Sequence, residues 1–540
     1  MKKQTVIAMT IITILIVACS SPVLNFETAT PISISPLPPN NAPAPTAIPS
    51  LSTPAISAAH PNIIFVLADD LDAAEYAFMP KLQSLIADQG VTFSNFFVNV
   101  SLCCPSRSTT LRGQYAHNTR VYTNGAPDGG FDQFVSTGDD KSTIATWLQS
   151  AGYKTMLAGK YLNGYPGKDK NYIPPGWSEW YSAVIGDAYS EFNYTLNENG
   201  KMVHYGKNAE DYGTDVYTRK AVDFIQRAVQ ERKPFFVYLG YYAPHSPSTP
   251  APRHEKLFAN VQAPRVPSFN ETDVSDKPGY IRDLPLLTTK EQSRIDDAYR
   301  KRLQSIQAVD DAIETLVAAL KTNGQLDNTY IFFGSDNGFH LGQHRLAEGK
   351  QAPYEEDIRV PMSVRGPGVP IGKTVDALTG NVDYAETWAQ LAGATLPDFV
   401  DGRSLVPLWN NISSSDQWRQ VFLLQHGGLA QLSAPVRPAQ PKNLPTPRVT
   451  PTRTPIAGVP EPDDAQETQI TGGRGTNGIT PFVGLRTKDF TYVEYTTGEK
   501  ELYDLKADPY QLQNIATKSA DVVKQLAAIL AELRKCAGAQ

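Results

Sequence analysis

The sequence predicts an α/β protein, a mixed, mostly parallel sheet between helices followed by a smaller α+β domain, on three observations. Continuous apolar runs of strand length recur at Asn62 to Leu67, Tyr153 to Leu157, Phe235 to Leu239 and Tyr330 to Phe333, as strands covered on both faces require. Helical stretches fall between them, around Pro80 to Asp88, Thr143 to Ala151, Asp215 to Val229 and Lys290 to Lys321, which is the alternation of βαβ units. Most of the runs stop at polar residues, gathering acids and bases at one carboxyl edge, where open α/β sheets place their ligands.

The elements follow in order. Lys2 and Lys3 precede an apolar run from Val6 to Ala18, shorter than the ~20 residues of a membrane span but suited to a signal-peptide core. It ends Ile16-Val17-Ala18-Cys19-Ser20, which resembles a bacterial lipobox. Residues 1–18 are therefore expected to be a lipoprotein signal peptide and Cys19 a lipidated first residue; a plain signal peptide cut near Ala18 is the alternative. That reading places the protein on a bacterial cell surface or in the periplasm, anchored to the membrane through its lipid. Residues 19–60, rich in Pro, Ser, Thr and Ala, lack the periodicity to build a core and read as a tether. A catalytic domain is expected over 61–405, its sheet extended by the apolar stretch Val91 to Val100. A C-terminal domain is expected over 406–540, interrupted by a Pro-rich, disordered insertion at about 433–478. Within it, Val483 to Arg486, Phe490 to Tyr495 and Glu501 to Tyr503 read as strands and Ala520 to Lys535 as an amphipathic helix.

Composition narrows the partners. The net charge of −6 over 540 residues offers no general attraction to nucleic acid, so none is expected as a partner. An anionic substrate has to be captured by a few placed cations. The four cysteines, Cys19, Cys103, Cys104 and Cys536, are too few and too uneven for a disulfide framework.

Three segments carry chemistry. Asp69-Asp70 ends the first strand, and Ser335-Asp336-Asn337-Gly338 ends a later one. Alone, the first pair reads as a turn or helix cap; its recurrence favours an all-oxygen site for a hard cation such as Ca²⁺ or Mg²⁺. In Cys103-Cys104-Pro105-Ser106-Arg107, Pro105 suits the first turn of a helix. That puts Cys103 at the helix N-terminus, where an anion is favoured. A buried cysteine pair or vicinal disulfide is the alternative.

This segment, continued by Leu111-Arg112-Gly113, resembles the C-x-P-S-R signature of the sulfatase family. The resemblance implies an alkaline-phosphatase-like fold and hydrolysis of sulfate esters. It implies that Cys103 is oxidised to formylglycine by a formylglycine-generating enzyme. It implies one calcium held by Asp69, Asp70, Asp336, Asn337 and an oxygen at position 103. Arg107 would orient the formylglycine and the metal carboxylates. Lys160 in Gly159-Lys160-Tyr161 and Lys350 in Gly349-Lys350 would bind sulfate, and His245 in Tyr242-Ala243-Pro244-His245 would bind sulfate and protonate the leaving alcohol. One departure stands out: many arylsulfatases carry Gly-Lys-x-His, whereas Gly159-Lys160-Tyr161-Leu162-Asn163 has no histidine, so a second acid/base group is missing or comes from elsewhere. His117 and His344 are further candidates. The Gly-Lys-Tyr-Leu-Asn form, Leu102-Cys103-Cys104-Pro105-Ser106-Arg107 and Asp357-Ile358-Arg359-Val360-Pro361 are similar to the N-acetylglucosamine-6-sulfatase branch, implying a sulfated carbohydrate or aryl sulfate substrate. The likeness runs from about Pro61 to Asn514, including Asp401-Gly402-Arg403-Ser404-Leu405 and Leu502-Tyr503-Asp504-Leu505. Two other readings stay open, a phosphonate monoester or phosphodiester hydrolase of the same superfamily and a non-catalytic surface lipoprotein that binds sulfated glycans.

Overall fold

A computed structural model describes residues 60–410, 413–428, 432 and 478–538. The signal segment 1–18, Cys19, the tether as far as residue 59 and the Pro-rich insertion from 433 to 477 lie outside the described residues.

Ten strands form the main sheet. In chain order they are β1 (Asn62–Asp69), β2 (Val91–Phe93), β3 (Lys154–Gly159), β4 (Glu179–Gly186), β5 (Tyr194–Glu198), β6 (Lys201–Tyr205), β7 (Phe235–Pro244), β8 (Thr329–Ser335), β9 (Met362–Arg365) and β10 (Lys373–Val375). Their spatial order is β10-β2-β9-β8-β1-β7-β3-β4-β5-β6. β8, β1, β7, β3 and β4 run parallel, while β9 and β5 run against their neighbours. β1 lies between two parallel partners and is buried throughout, which explains its unbroken apolar sequence.

Alternate residues of β1 serve opposite layers, as strand geometry requires. Ile63, Phe65 and Leu67 join Trp147, Tyr384 and Trp388 in one core, whereas Ile64 and Val66 join Val216, Phe224, Ile306 and Ile313 in the other. The helices behind these side chains, in chain order after α1 (Cys103–Arg112), are α2 (Ile144–Ser150), α3 (Gly213–Gln230), α4 (Thr289–Thr322) and α5 (Tyr384–Ala392). α4 starts from a capping box: the Glu291 carboxylate accepts from the Thr288 N–H at 2.7 Å, and the Thr288 hydroxyl accepts from the Glu291 N–H at 3.3 Å.

Strands β4, β5, β6, β9 and β10 were not foreseen. Asn199-Gly200 turns β5 into β6 with φ of 54° and 89°, the two positive values of a type I′ hairpin. The C-terminal part is a four-stranded antiparallel sheet of β11 (Val421–His426), β12 (Phe482–Thr487), β13 (Phe490–Tyr495) and β14 (Lys500–Asp504), with α6 (Ala520–Leu533) packed on it. Its first strand was also unforeseen.

The register matters most at the carboxyl edge. Asp69 pairs with Pro244 of β7, Ala68 pairs with Ser335 of β8, and Gly159 pairs with Gly240. The segments carrying Asp69-Asp70, Lys160, His245 and Asp336-Asn337 therefore leave the sheet side by side.

Candidate active site

The turn after β1 is held in an unusual conformation. Asp70 has φ of 68°, uncommon outside glycine. Its N–H donates to Asp336 Oδ1 at 3.1 Å, the next N–H, of Leu71, donates to Ser335 Oγ at 2.8 Å, and Arg302 donates to its carbonyl. Arg302 is itself fixed by Glu75, at 2.6 and 2.7 Å. These bonds keep both carboxylates, Asp69 and Asp70, at the strand end.

Helix α1 delivers the cysteine. Leu102 is extended, the helix begins at Cys103, Pro105 occupies the first turn and Gly113, at φ 64°, closes it. All ten residues are buried. The Cys103 thiol donates to Asp69 Oδ1 at 3.3 Å and lies 3.7 Å from Asp70 Oδ1, and Lys350 Nζ reaches Sγ at 3.1 Å. Burial first, then the Asp69 charge, push this thiol well above its ordinary range, so at neutral pH it stays protonated.

Three cations meet the acids. Arg107 Nε donates to Asp336 Oδ2 at 2.7 Å, its Nη1 to the Lys160 carbonyl at 2.9 Å, and its Nη2 lies 3.6 Å from Asp69 Oδ1. Lys160 Nζ donates to Asp69 Oδ2 at 2.6 Å, and Lys350 Nζ donates to both oxygens of Asp70 at 2.9 Å. His245 Nδ1 bonds the Ser246 carbonyl at 2.8 Å, which turns Nε2 toward Asp70 Oδ2 at 3.6 Å. Burial opposes the charge on Asp69, but Lys160, His245, Arg107 and Lys350 together hold its carboxyl well below the usual range. Asp336 goes the other way: burial and the charge of Asp69 raise it to about 6 despite Arg107.

The donors converge. Asp69, Asp70, Cys103 and His245 each offer a ligand atom within 4.8 Å of the others. Asn337 Nδ2 donates to Asp70 Oδ1 at 2.6 Å, while its buried Oδ1 accepts no hydrogen bond. All the metal-site and catalytic candidates from 69 to 350 thus share one buried pocket.

Two histidines do not join it. His117 contacts Gln425 Oε1 at 3.2 Å and the Cys536 carbonyl at 2.8 Å. His344 Nδ1 meets Glu271 at 2.7 Å with its ring 4.0 Å from that of Tyr354, and burial lowers its pKa to about 3. Sequence reasoning missed Tyr189, whose ring lies 5.0 Å from Lys160 Nζ and 4.7 Å from the His245 ring. It also missed the support given by Asp357. The carboxylate of Asp357 takes His340 Nδ1 at 2.9 Å and the Ala352 N–H at 2.7 Å, and its carbonyl takes the Ser101 hydroxyl at 2.8 Å and the Gly338 N–H at 2.9 Å. The quoted motif containing Asp357 was the available signal.

The family model described as Sulfatase matches residues 61–394. The chain belongs to the sulfatase family. Sulfatases are sulfuric ester hydrolases, and the fold described above is the alkaline-phosphatase-like one expected for them. Over 88% of its length this sulfatase is 36% identical to the N-acetylglucosamine-6-sulfatase of Capra hircus, spanning 84% of that protein. It is 38% identical to extracellular sulfatase homologues of Caenorhabditis elegans and Drosophila melanogaster, but spans only 53% and 33% of their lengths. The solved structure of BT4656 in complex with its substrate D-glucosamine-2-N,6-O-disulfate superimposes with a TM-score of 0.67 at 25% identity, covering 88% of this chain and 98% of that one.

Proposed function

We propose that this sulfatase hydrolyses the sulfate ester of a sulfated sugar resembling N-acetylglucosamine 6-sulfate, using a formylglycine made from Cys103 and one bound calcium. The observation that carries the reading is the position of Cys103 Sγ, at the head of a buried helix and within 3.7 Å of Asp69, Asp70 and Lys350 together. The likeness to N-acetylglucosamine-6-sulfatases supports the substrate class. An unmodified thiol held above its ordinary pKa is a poor nucleophile, which favours a modified residue.

The residues present fit a hard cation. Asp69, Asp70, Asp336 and Asn337 are oxygen donors, and Asn337 Oδ1 is buried without a hydrogen-bond partner. The three carboxylates are balanced by Arg107, Lys160 and Lys350, so a divalent ion would tip the pocket positive, as an anionic ester requires. When bound, calcium supplies fixed positive charge beside the nucleophile. Hydrated, the aldehyde of formylglycine supplies two hydroxyls on one carbon, one to displace the alcohol and the other to release sulfate.

The chain's own residues do the rest. Arg107 locks Asp69 and Asp336 in place from the helix that carries position 103. Lys160 and Lys350 bind the non-bridging sulfate oxygens through the developing charge. His245, with Nδ1 committed to a carbonyl, hands the proton at Nε2 to the departing sugar oxygen. Burial strengthens each of these charge interactions.

The Cys19 lipid anchor on an exported protein, the maturing oxidase as a partner and the division into 61–405 and 406–540 complete the proposal. They rest on the sequence. No helix among the described residues is long and apolar enough to cross a membrane. Peptide mass spectrometry across Leu102 to Arg107, with assays on 4-nitrophenyl sulfate and N-acetylglucosamine 6-sulfate, tests the mechanism. The expected result is an aldehyde at position 103 in active material; full activity with an intact thiol would overturn it.

A further inference from the structure

Lys160 and His245 come from neighbouring strands. Lys160 follows β3 and His245 follows β7, which run in parallel register as far as Gly159 and Gly240. In the proposed reaction they serve different oxygens of one ester, Lys160 the non-bridging sulfate oxygens and His245 the oxygen that departs with the sugar. Their spacing therefore matters, because groups that share a transition state have to be held to within about 0.5 Å. One ring meets both. The Tyr189 ring centre lies 5.0 Å from Lys160 Nζ, inside the ~6 Å reach of a cation–π contact. It lies 4.7 Å from the centre of the His245 ring, at an angle of 49°. Tyr242, three residues before His245 on β7, packs edge-on against the same ring at 4.8 Å.

Tyr189 is itself anchored. It is buried, on the short turn Ala188–Ser190 between β4 and β5. The Asp187 carboxylate accepts from the Ser190 N–H at 3.3 Å, and the Asp187 N–H donates to the Asn193 carbonyl at 3.2 Å. Glu191, at φ 64°, ties the turn to helix α3: its carboxylate accepts from the Thr214 N–H at 2.6 Å and its carbonyl from the Gly213 N–H at 2.9 Å. The place of the ring is thus set by bonds across its own turn and to α3, independently of Lys160 and His245. A leucine would fill much of the same volume. It would offer neither the negative face that draws an ammonium nor a flat surface for an imidazole.

We infer that Tyr189 is a positioning residue, whose ring holds the Lys160 ammonium and the His245 imidazole at one spacing and so aligns proton delivery with the bound sulfate. This rests on the sulfate-ester reading, with Lys160 on sulfate and His245 as proton donor, and adds to it the group that aims them. The effect of Tyr189 passes through those two side chains.

The test measures kcat/KM of the matured full chain and of its Tyr189→Phe and Tyr189→Leu variants on two esters. N-acetylglucosamine 6-sulfate releases an alkoxide that needs a proton, whereas 4-nitrophenyl sulfate releases a stable phenolate that does not. Tyr189→Phe keeps the ring and should stay within about threefold of the parent on both. Tyr189→Leu should lose about 10²-fold on the sugar ester, as a misplacement near 1 Å does, and about tenfold less than that on the nitrophenyl ester. Tyr189→Met, flexible enough to refill the space, takes its place if Tyr189→Leu does not fold. Equal losses on the two esters, no loss on either, or a Phe variant as impaired as the Leu variant overturns the inference. His245→Ala separates that failure from failure of the underlying reading. A loss selective for the sugar ester in His245→Ala keeps His245 as the donor and leaves the failure with Tyr189 alone, whereas equal losses there overturn the reading and the inference with it.

Discussion

Two buried polar clusters in this protein are built on opposite plans. At the joint between the sheets, the Glu501 carboxylate accepts from the hydroxyls of Tyr354, Tyr495 and Tyr503 at 2.9, 2.6 and 2.5 Å, and Tyr280 extends the set to Tyr495 at 3.3 Å. Each acceptor there is filled by the chain's own donors. At the carboxyl edge of the main sheet, Asn337 Oδ1 and Arg107 Nη2 have no hydrogen-bond partner although both are buried. A buried polar network that closes on itself fastens two parts of a fold, whereas one left open keeps donors and acceptors available, on the proposed reading for a cation.

The sharpest way to break this contrast is Cys103→Ser, which removes the oxidisable sulfur and leaves the fold. Turnover should fall by roughly 10³-fold or more with an unchanged melting profile; retained turnover would show that the open cluster is not the reaction centre. Asp336→Asn and Lys350→Ala come next. Each is expected to lower kcat by about 10²- to 10³-fold, and a change confined to KM would move them out of the transition state. Calcium probes the open cluster directly. At a concentration near 100 times its Kd it should add about 2.7 kcal/mol of stability, read as a higher Tm that EGTA reverses and Asp70→Asn abolishes. The closed cluster should answer differently: Glu501→Ala removes the acceptor shared by three tyrosine hydroxyls and costs about 1–3 kcal/mol in denaturant unfolding, with kcat per folded molecule unaltered.

A third buried acid stands apart from both clusters. Burial lifts the Glu191 carboxyl from 4.5 to about 8, against the N–H and hydroxyl of Thr214 at the start of α3. The folded chain therefore holds a proton that the unfolded chain releases above about pH 4.5. Its contribution is complete below that value and drains away as pH rises toward 8. Glu191→Gln should flatten that part of the Tm profile, and an identical slope in the variant would assign it to other groups.

The legible parts of the molecule were those where one residue type has one physical use. β1, β7 and β8 were readable because strands buried on both faces cannot alternate. The acids at 69, 70 and 336 were readable only as a set, because a pair that alone reads as a turn or cap recurs at the ends of two buried strands. β4, β5 and β6 were missed because they form an antiparallel flank whose sequences, such as Lys201-Met202-Val203-His204-Tyr205, are half polar. Yet Asn199-Gly200, a two-residue loop demanding positive φ twice, was a hairpin signal in plain view. β11 was hidden for another reason: its partner β12 comes only after the Pro-rich insertion, so no local turn announces the pairing. Tyr189 and the Glu75–Arg302 pair carried no signal, since an isolated tyrosine or acid has many ordinary uses and only long-range contact singles it out.

Cys103 has none of its surface exposed to solvent, and it opens a helix whose ten residues are all interior. On the proposed reading, an enzyme that oxidises this sulfur would have to reach it before the sheet closes over the helix, so maturation would precede folding, and a chain that folded first would keep its thiol.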